Sequence, residues 1–324
     1  MKLFLSVLFA LLAPSVSAED VLIIESYHSE YPWDKDYVKG IRNTLDEKHS
    51  VTTFQMDTKR LPQHQFPEMA HKALLRYQEL KPDVVVLGDD NALKFMLPKL
   101  YNEPISIVFL GINSNPRKLL ARYQGQAQIT GILEQPLLIK NINEIGELIN
   151  DKNSKILVLF DSGTTSKIAE EYISKQYQSI KNSLSVTVDI ENVATLSHWK
   201  NIVRASQEKG YSAIVMGLYH TLIDKKGHHV NADDLMAWTH QHSPVPLFGF
   251  WDFSVGKGKA LGGVVLFGQS QGIETGKILN QILSGKNTDH IPIRIGKQGK
   301  AIYSKEEMER WDLTPPSHWQ AIDE

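Results

Sequence analysis

The sequence predicts an α/β protein built as two doubly wound, Rossmann-like lobes, and three observations carry that prediction. Short apolar runs rich in β-branched residues alternate with segments of helical period, the pattern of a parallel sheet covered on both faces. The alternation completes one block and then starts again in a second of similar length. A chain of about 300 residues, once an N-terminal leader is set aside, exceeds what one core comfortably serves.

The leader comes first. Lys2 supplies a positive charge, Leu3 to Leu12 form an apolar run, and Pro14 breaks it ahead of the small residues Val16-Ser17-Ala18. This order predicts a signal peptide over residues 1–18, and the apolar run is too short to span a membrane. The first block then reads as strands at Val21 to Ser26, Val51 to Met56, Val84 to Gly88 and Ile105 to Gly111. Between them lie helical patterns carrying Val38, Ile41 and Leu45, then Phe66, Met69, Ala73 and Tyr77, then Leu93, Met96, Leu97 and Leu100.

The second block repeats the architecture without repeating the sequence. Its strands are Lys155 to Phe160, Val186 to Ile190, Ala213 to Gly217 and Leu247 to Phe250. Its helices carry Ile168, Tyr172 and Ile173, then Trp199, Ile202 and Val203, then Leu235, Met236 and Trp238. A long tail follows, with a strand at Val264 to Phe267, a helix through Ile273 to Ile282, short strands at Ile291 to Ile295 and Ala301 to Tyr303, and a last helix with Met308 and Trp311. So long a tail after a complete block implies that the chain crosses back between lobes. The expected division is residues 19–130 with 256–288 as lobe I, and 131–255 with 289–324 as lobe II.

Composition narrows the function. The formal charge is −2, and one unit more negative if Lys2 leaves with the leader. Lys and Arg are scattered, with no basic stripe, which argues against nucleic acid as a partner. No cysteine is present. An exported chain without cysteine has neither disulfides nor a lipid-bearing cysteine anchor, so a soluble form held in the periplasm is expected.

In open α/β sheets ligands bind beyond the carboxyl ends of strands, where loops meet helix N-termini. The loops there carry Ser26-Tyr27-His28 with Trp33, Asp89-Asp90-Asn91 and Asn113 in the first block. In the second they carry Asp161-Ser162 with Thr164, Tyr219, and Trp251-Asp252, and Glu134 joins the candidate set from the connection between blocks. Aromatic faces can stack on a ligand while carboxylates and amides fix its polar atoms. The same Asp, Ser and Thr types also cap helices, and loop aromatics also pack against their own lobes, so both roles stay open.

Enzyme motifs are weak. Gly268-Gln269-Ser270-Gln271-Gly272 matches a hydrolase nucleophile elbow, but the acid and histidine that should follow well downstream have too little chain in which to stand. The glycines there read better as a tight turn and close helix packing. Gly256 and Gly258 lack the third glycine of a dinucleotide fingerprint, and no P-loop occurs. His228-His229, and His240 with His242, have no metal-site spacing. No catalytic residue, cofactor or metal is expected.

Several segments in order resemble the ABC-type periplasmic substrate-binding proteins of the type I fold, in the branch with tryptophan-binding members. They are Val21-Leu-Ile-Ile-Glu-Ser-Tyr-His28 with Tyr31-Pro-Trp33, Pro82-Asp-Val-Val-Val-Leu-Gly-Asp-Asp-Asn-Ala92, Pro104-Ile-Ser-Ile-Val-Phe-Leu-Gly-Ile-Asn113, Ile129-Thr-Gly-Ile132, Pro246-Leu-Phe-Gly-Phe-Trp-Asp252 and Ile291-Pro-Ile293. The resemblance implies a three-segment hinge, a monomer, and lobes that close on a small molecule for delivery to the membrane permease of an ABC importer. It places the pocket on Ser26 to His28, Asp89 to Asn91, Asn113, Asp161 to Thr164, Tyr219, Trp251 and Asp252. The Ser-Tyr-His…Tyr-Pro-Trp opening is also similar to extracytoplasmic sensor domains, which implies a membrane histidine kinase or diguanylate cyclase as the alternative partner. Asp89, Asp90, Glu134, Asp161 and Asp252, with no Arg on those loops, favour a ligand bearing an amine, amino-acid-like. A sugar stacked on Trp33 and Trp251 is the other option.

Overall fold

The computed structural model describes residues 21–322 except 136, 150–153, 185 and 297–298, with side chains left out at 176–184. The leader expected at residues 1–18 lies outside the described residues. Five strands open the chain: β1 (Val21–Glu25), β2 (Val51–Gln55), β3 (Val84–Gly88), β4 (Ser106–Ile112) and β5 (Gln128–Leu133). Helices α1 (Pro32–Thr44), α2 (Phe66–Leu80), α3 (Asp89–Leu100) and α4 (Arg117–Arg122) connect them. After α5 (Leu138–Ile149) come β6 (Lys155–Asp161), α6 (Thr164–Leu184), β7 (Thr187–Val193), α7 (Leu196–Ala205), β8 (Ala213–Met216), α8 (Ala232–His242), β9 (Leu247–Gly249) and β10 (Gly262–Val265). The tail adds α9 (Gly268–Leu283), β11 (Arg294–Ile295), β12 (Lys300–Tyr303), α10 (Lys305–Arg310) and β13 (Gln320–Ala321).

These strands form two sheets, one of six strands ordered β11-β5-β4-β3-β1-β2 and one of seven ordered β13-β12-β10-β9-β8-β6-β7. The first is parallel throughout, and the second is parallel except where β12 runs against β10. Apolar runs without polar alternation produced this because both faces are covered. Val21, Ile23, Val84 and Val86 enter one core, and Leu22, Ile24, Val85 and Leu87 enter the core on the opposite face. In the second sheet Ile156 and Val158 divide from Leu157 and Leu159 in the same way. The two doubly wound lobes expected from the sequence are therefore present.

The chain passes between sheets three times: after β5, after β10, and between β11 and β12. All three crossings lie later than the breaks expected after residues 130, 255 and 288. Gly131, read as a break, sits inside β5, paired with Phe109, whose ring would lie 2.3 Å from a Cβ at that position. Gly256 and Gly258, just past the second expected break, take positive φ in a turn that stays within lobe II and leads into β10. Residues 289–295 stay with lobe I, since β11 extends the first sheet beside β5.

Helix α9 returns to lobe I and lies against α1. The glycines of the Gly268–Gly272 stretch permit this contact: a Cβ on Gly272 would fall 2.1 Å from the Tyr37 carbonyl oxygen, and one on Gly268 2.8 Å from that of Trp33. Ser270 stands in the first turn of that helix, so the hydrolase-like motif is accounted for by packing. Helix α5 went unread in the sequence. Its Asn141 is wholly buried, donating to Gly249 O at 2.9 Å and accepting from Val264 N at 2.9 Å, so it bridges β9 and β10. No helix among the described residues is long and apolar enough to cross a membrane.

Candidate functional site

In each lobe the first strand is flanked by the second on one side and the third on the other (β2-β1-β3 and β7-β6-β8). The loops leaving those strands therefore splay apart at their carboxyl ends, the position where such sheets hold ligands. The two openings face each other. Tyr27, after β1, reaches Thr165 in the first turn of α6 with 2.8 Å between hydroxyl oxygens. Tyr31 meets the edge of His220, which follows β8, at 4.8 Å between ring centroids.

At the centre of the seam lies a cavity of ≈ 10 Å³ lined by Tyr27, Tyr31, Trp33, Asp89, Asn113 and Glu134 from the first half of the chain and Thr165, Leu218 and Trp251 from the second. That is room for about one water molecule. Its polar atoms are carboxylates and their donors. The Tyr27 hydroxyl donates to Asp89 Oδ1 at 2.7 Å, and Trp251 Nε1 donates to Glu134 Oε1 at 2.6 Å. Asn113 Nδ2 donates to Glu134 Oε2 at 3.2 Å. Two buried atoms, Trp33 Nε1 and Asn113 Oδ1, have no hydrogen-bond partner. Gly111, at φ +68°, lets this group assemble, since a Cβ there would sit 3.3 Å from Trp33 Nε1.

Burial sets the acidity of the two carboxyls. Glu134 is held well above the usual carboxylate range by loss of hydration, with Asp89 nearby adding to the effect. Asp89 is pushed up to about 7 by burial and then by the charge of Asp90. A cation placed between them would replace the missing hydration and draw both back toward ionisation.

Two larger recesses flank this centre. One, of ≈ 280 Å³, is lined among others by Lys59, Arg60, Asn91, Ser162, Thr164 and Thr165. Another, also ≈ 280 Å³, is lined by His28, Tyr31, Tyr219, His220, Phe253 and their neighbours. Arg60 and His229 line both.

The expected site residues thus fall into groups. Tyr27, Trp33, Asp89, Asn113, Glu134 and Trp251 meet at the centre. Asn91, Ser162 and Thr164 border the first recess, and His28 and Tyr219 the second. Ser26, Asp90 and Asp161 stand behind the walls, engaged mainly with backbone. Ser26 Oγ donates to Gly88 O and accepts from Ala92 N, and Asp90 accepts from the N–H groups of Asn113 and Ser114. Asp161 accepts from Gly163 N, Ser166 Oγ, His220 N and Thr221 N. Asp252 borders none of the three spaces; it accepts from Phe253 N, and burial followed by Asp36 raises it to about 7.

The candidate set left out Tyr31, Thr165 and Leu218 at the centre and His220 at a recess, although all four lie on loops at the expected edge, and sequence reasoning missed Lys59 and Arg60 altogether. A signal existed for Lys59 and Arg60: they follow the carboxyl end of β2, the same edge that supplied the other candidates. His228 and His229 serve locally, His228 Nδ1 lying 3.5 Å from Asp224 and His229 Nε2 2.8 Å from His220 O. Among the described residues no group of three or more His, Cys, Asp or Glu could hold a metal ion.

Comparison with known proteins agrees with this geometry. A sequence model of ABC transporter substrate-binding proteins matches residues 30–318. No curated protein matches the sequence. Among solved structures, an ABC domain in complex with L-Trp from Streptococcus pneumonia aligns with a TM-score of 0.70 at 17% identity, covering 94% of this chain and 100% of its own. A conserved domain protein from Vibrio cholerae aligns at 0.65 and 14% identity, covering 94% and 99%. A ligand-free, open substrate-binding protein with adhesive properties from Clostridium difficile aligns at 0.59 and 14%, also covering 94% and 99%. At such identities the likeness shows the fold, which is that of type I periplasmic binding proteins.

Proposed function

Because the chain belongs to the ABC transporter substrate-binding protein family, we propose that it captures an amine-bearing, amino-acid-like molecule in the periplasm by closing its lobes, and delivers it to an ABC importer. The observation that carries this reading is the central cavity. It sets two buried carboxyls, Asp89 and Glu134, among the rings of Tyr31, Trp33 and Trp251. An ammonium satisfies the carboxylates, and the flat rings cover the apolar remainder of the ligand. The L-Trp held by the Streptococcus relative supports an amino acid over a sugar.

A cavity of ≈ 10 Å³ cannot take a molecule of that size, so binding must begin with the lobes apart. The ligand first meets one lobe, and contacts from the other then stabilise closure. Hydrogen bonds to charged groups contribute about 1.5–3 kcal/mol each. Three or four of these with one stacked ring reach the roughly −8 to −12 kcal/mol of micromolar to nanomolar binding.

The test is calorimetric titration with L-amino acids, amines and sugars, combined with small-angle scattering. An amino acid should bind with micromolar affinity or better and contract the molecule, and Trp251→Ala should weaken binding at least tenfold. Binding of a sugar alone, or an affinity indifferent to Trp251→Ala, would refute the reading. The opening Ser26-Tyr27-His28…Tyr31-Pro32-Trp33, similar to sensor domains, supports a second reading in which the closed form reports to a membrane kinase or cyclase. Cross-linking the liganded protein in membranes separates the two by which partner it captures.

A further inference from the structure

Lys59 follows the carboxyl end of β2 and is 5% exposed. Its ammonium lies 4.5 Å from the Tyr27 ring centroid and 5.1 Å from that of Tyr31. Taking a charge out of water is costly, and cation–π contact offsets only part of that cost. The remainder calls for an anion within reach.

Tyr27 leads to that anion. With the ammonium over its ring, its hydroxyl donates to Asp89 Oδ1 at 2.7 Å. The same oxygen accepts from Asp90 N at 2.7 Å and stands 3.4 Å from the Thr165 hydroxyl. Burial, and then the charges of Asp89 and Tyr31, hold the Tyr27 phenol well above its usual range, so the hydroxyl remains a donor. Asp89 itself takes the left-handed backbone, φ +72°, at the first residue of α3. That conformation is costly for a side-chain-bearing residue and marks a group held in place by its surroundings.

The groups around Asp89 give Lys59 a distinct part. Tyr27 faces it from the loop after β1, Tyr31, Asp34 and Tyr37 from α1 and its entry, Asp90 from α3, and Glu134 from the end of β5. All of these are acids, and each resists a further negative charge beside it. Lys59 is the cation among them, and it draws both Asp89 and Asp34 toward ionisation. From the second lobe His220 faces Lys59, and burial first, then the charge of Lys59, keeps that imidazole neutral. Burial and Asp90 already hold Asp89 at about 7, so without the lysine this carboxyl would keep its proton through the neutral range.

We propose that Lys59 acts through Asp89, as the internal counter-charge that lets this carboxyl ionise within the neutral range and stand ready for an ammonium. It is a positioning residue for charge, since its effect on a ligand passes through another side chain. The lysine also repels an arriving ammonium directly. Where Asp89 is already ionised only that repulsion remains, so Lys59 aids binding at low pH and not at high pH.

The first readout needs no ligand. The full chain is labelled with carbon-13 at the aspartate carboxyls, the Asp89 signal is assigned by its loss in Asp89→Asn, and its titration is followed by NMR from about pH 5.5 to about pH 9. The wild-type midpoint should fall near neutrality. Lys59→Met and the polar, neutral Lys59→Gln should each raise it by about one pH unit, a tenfold change in ionisation, and Lys59→Arg should restore it. An unmoved midpoint in the neutral variants would overturn the proposal. So would a wild-type Asp89 still protonated beyond about pH 8, a result that needs no variant.

The second readout rests on the amine-binding reading above. In calorimetric titrations with L-tryptophan, L-leucine and L-lysine, Lys59→Met should bind about tenfold more weakly than wild type at about pH 6, and as tightly or more tightly at about pH 8.5. Equal loss at both would show a merely structural lysine and overturn the proposal. If none of these amino acids binds, the amine reading falls, and the carboxyl titration decides the role of Lys59 by itself.

Discussion

Asp161 illustrates how a side chain of the right type at the right edge can serve the scaffold. Wholly buried, it accepts two N–H groups from the loop after β8, and one N–H and one hydroxyl from the entry to α6. It fixes where Thr165 and His220 stand. Its replacement by alanine leaves buried donors unsatisfied, at about 1–3 kcal/mol for each stranded group. Asp161→Ala should therefore lower the urea midpoint by the equivalent of about 3 kcal/mol or more. An unchanged midpoint with lost binding would instead make Asp161 a direct ligand contact. Glu134 is the contrasting case, since it faces the cavity, and its partners Trp251 and Asn113 approach from either side of the seam. Nothing in the local sequence distinguishes these two acids, because the difference lies in what faces them.

At the scale of elements, the pairing of α1 with α9 governs the site. Helix α1 begins at Pro32 and carries Trp33 and Asp34 in its first turn, and Asp34 accepts the Tyr27 N–H at 3.0 Å. The position of α1 therefore sets three aromatics of the cleft: Tyr27, Tyr31 and Trp33. A methyl group on Gly272 would meet the Tyr37 carbonyl oxygen at 2.1 Å, so Gly272→Ala must push the helices apart. Overpacking of this kind costs about 1–3 kcal/mol. The expected result is a lower denaturant midpoint together with weaker ligand binding, although Gly272 borders none of the three cleft spaces. Retention of wild-type stability would show that α9 shifts freely. The strands β1, β3, β6 and β8 were legible because runs buried on both faces need no alternation to be recognised. The two-residue strand β13, the glycine-bearing β5, and α5 with its buried Asn141 were not, because partners remote in sequence decide them.

For the whole molecule, folding buries a set of acids. Burial raises Glu25, Asp89 and Asp252 to about 7 each and holds Asp34 and Glu134 well above the carboxylate range. A carboxyl whose folded pKa is raised keeps its proton more firmly when folded. Its contribution to stability is full below the unfolded value near 4 and is lost as pH rises through the folded value. His28 and His220 act oppositely: burial lowers both, so their contribution is lost as pH falls below about 6.5. These five carboxyls, with Asp36 and Asp90 also raised by burial, outweigh two imidazoles. Scanning calorimetry without added ligand should give a higher Tm at pH 5.5 than at pH 7.5, by several degrees for the few kcal/mol involved. An ammonium ligand needs the ionised carboxylates, so the stabilisation it confers should grow over the same range. A Tm that rises with pH in the absence of ligand would contradict this assignment of burial.

Sequence alone determined the layered α/β architecture, the division into two lobes, and the strand ends whose loops meet at the seam. These follow from local quantities, namely periodicity, apolar run length and helix-start chemistry, which a chain displays without reference to distant parts of itself. Only the tertiary structure decided which loop residues turn to the seam and which anchor the backbone. It also decided where the chain changes lobes, and that Lys59 lies over the rings of Tyr27 and Tyr31. Those facts depend on which surfaces meet when two separately wound sheets dock, and no residue carries that information in its own neighbourhood.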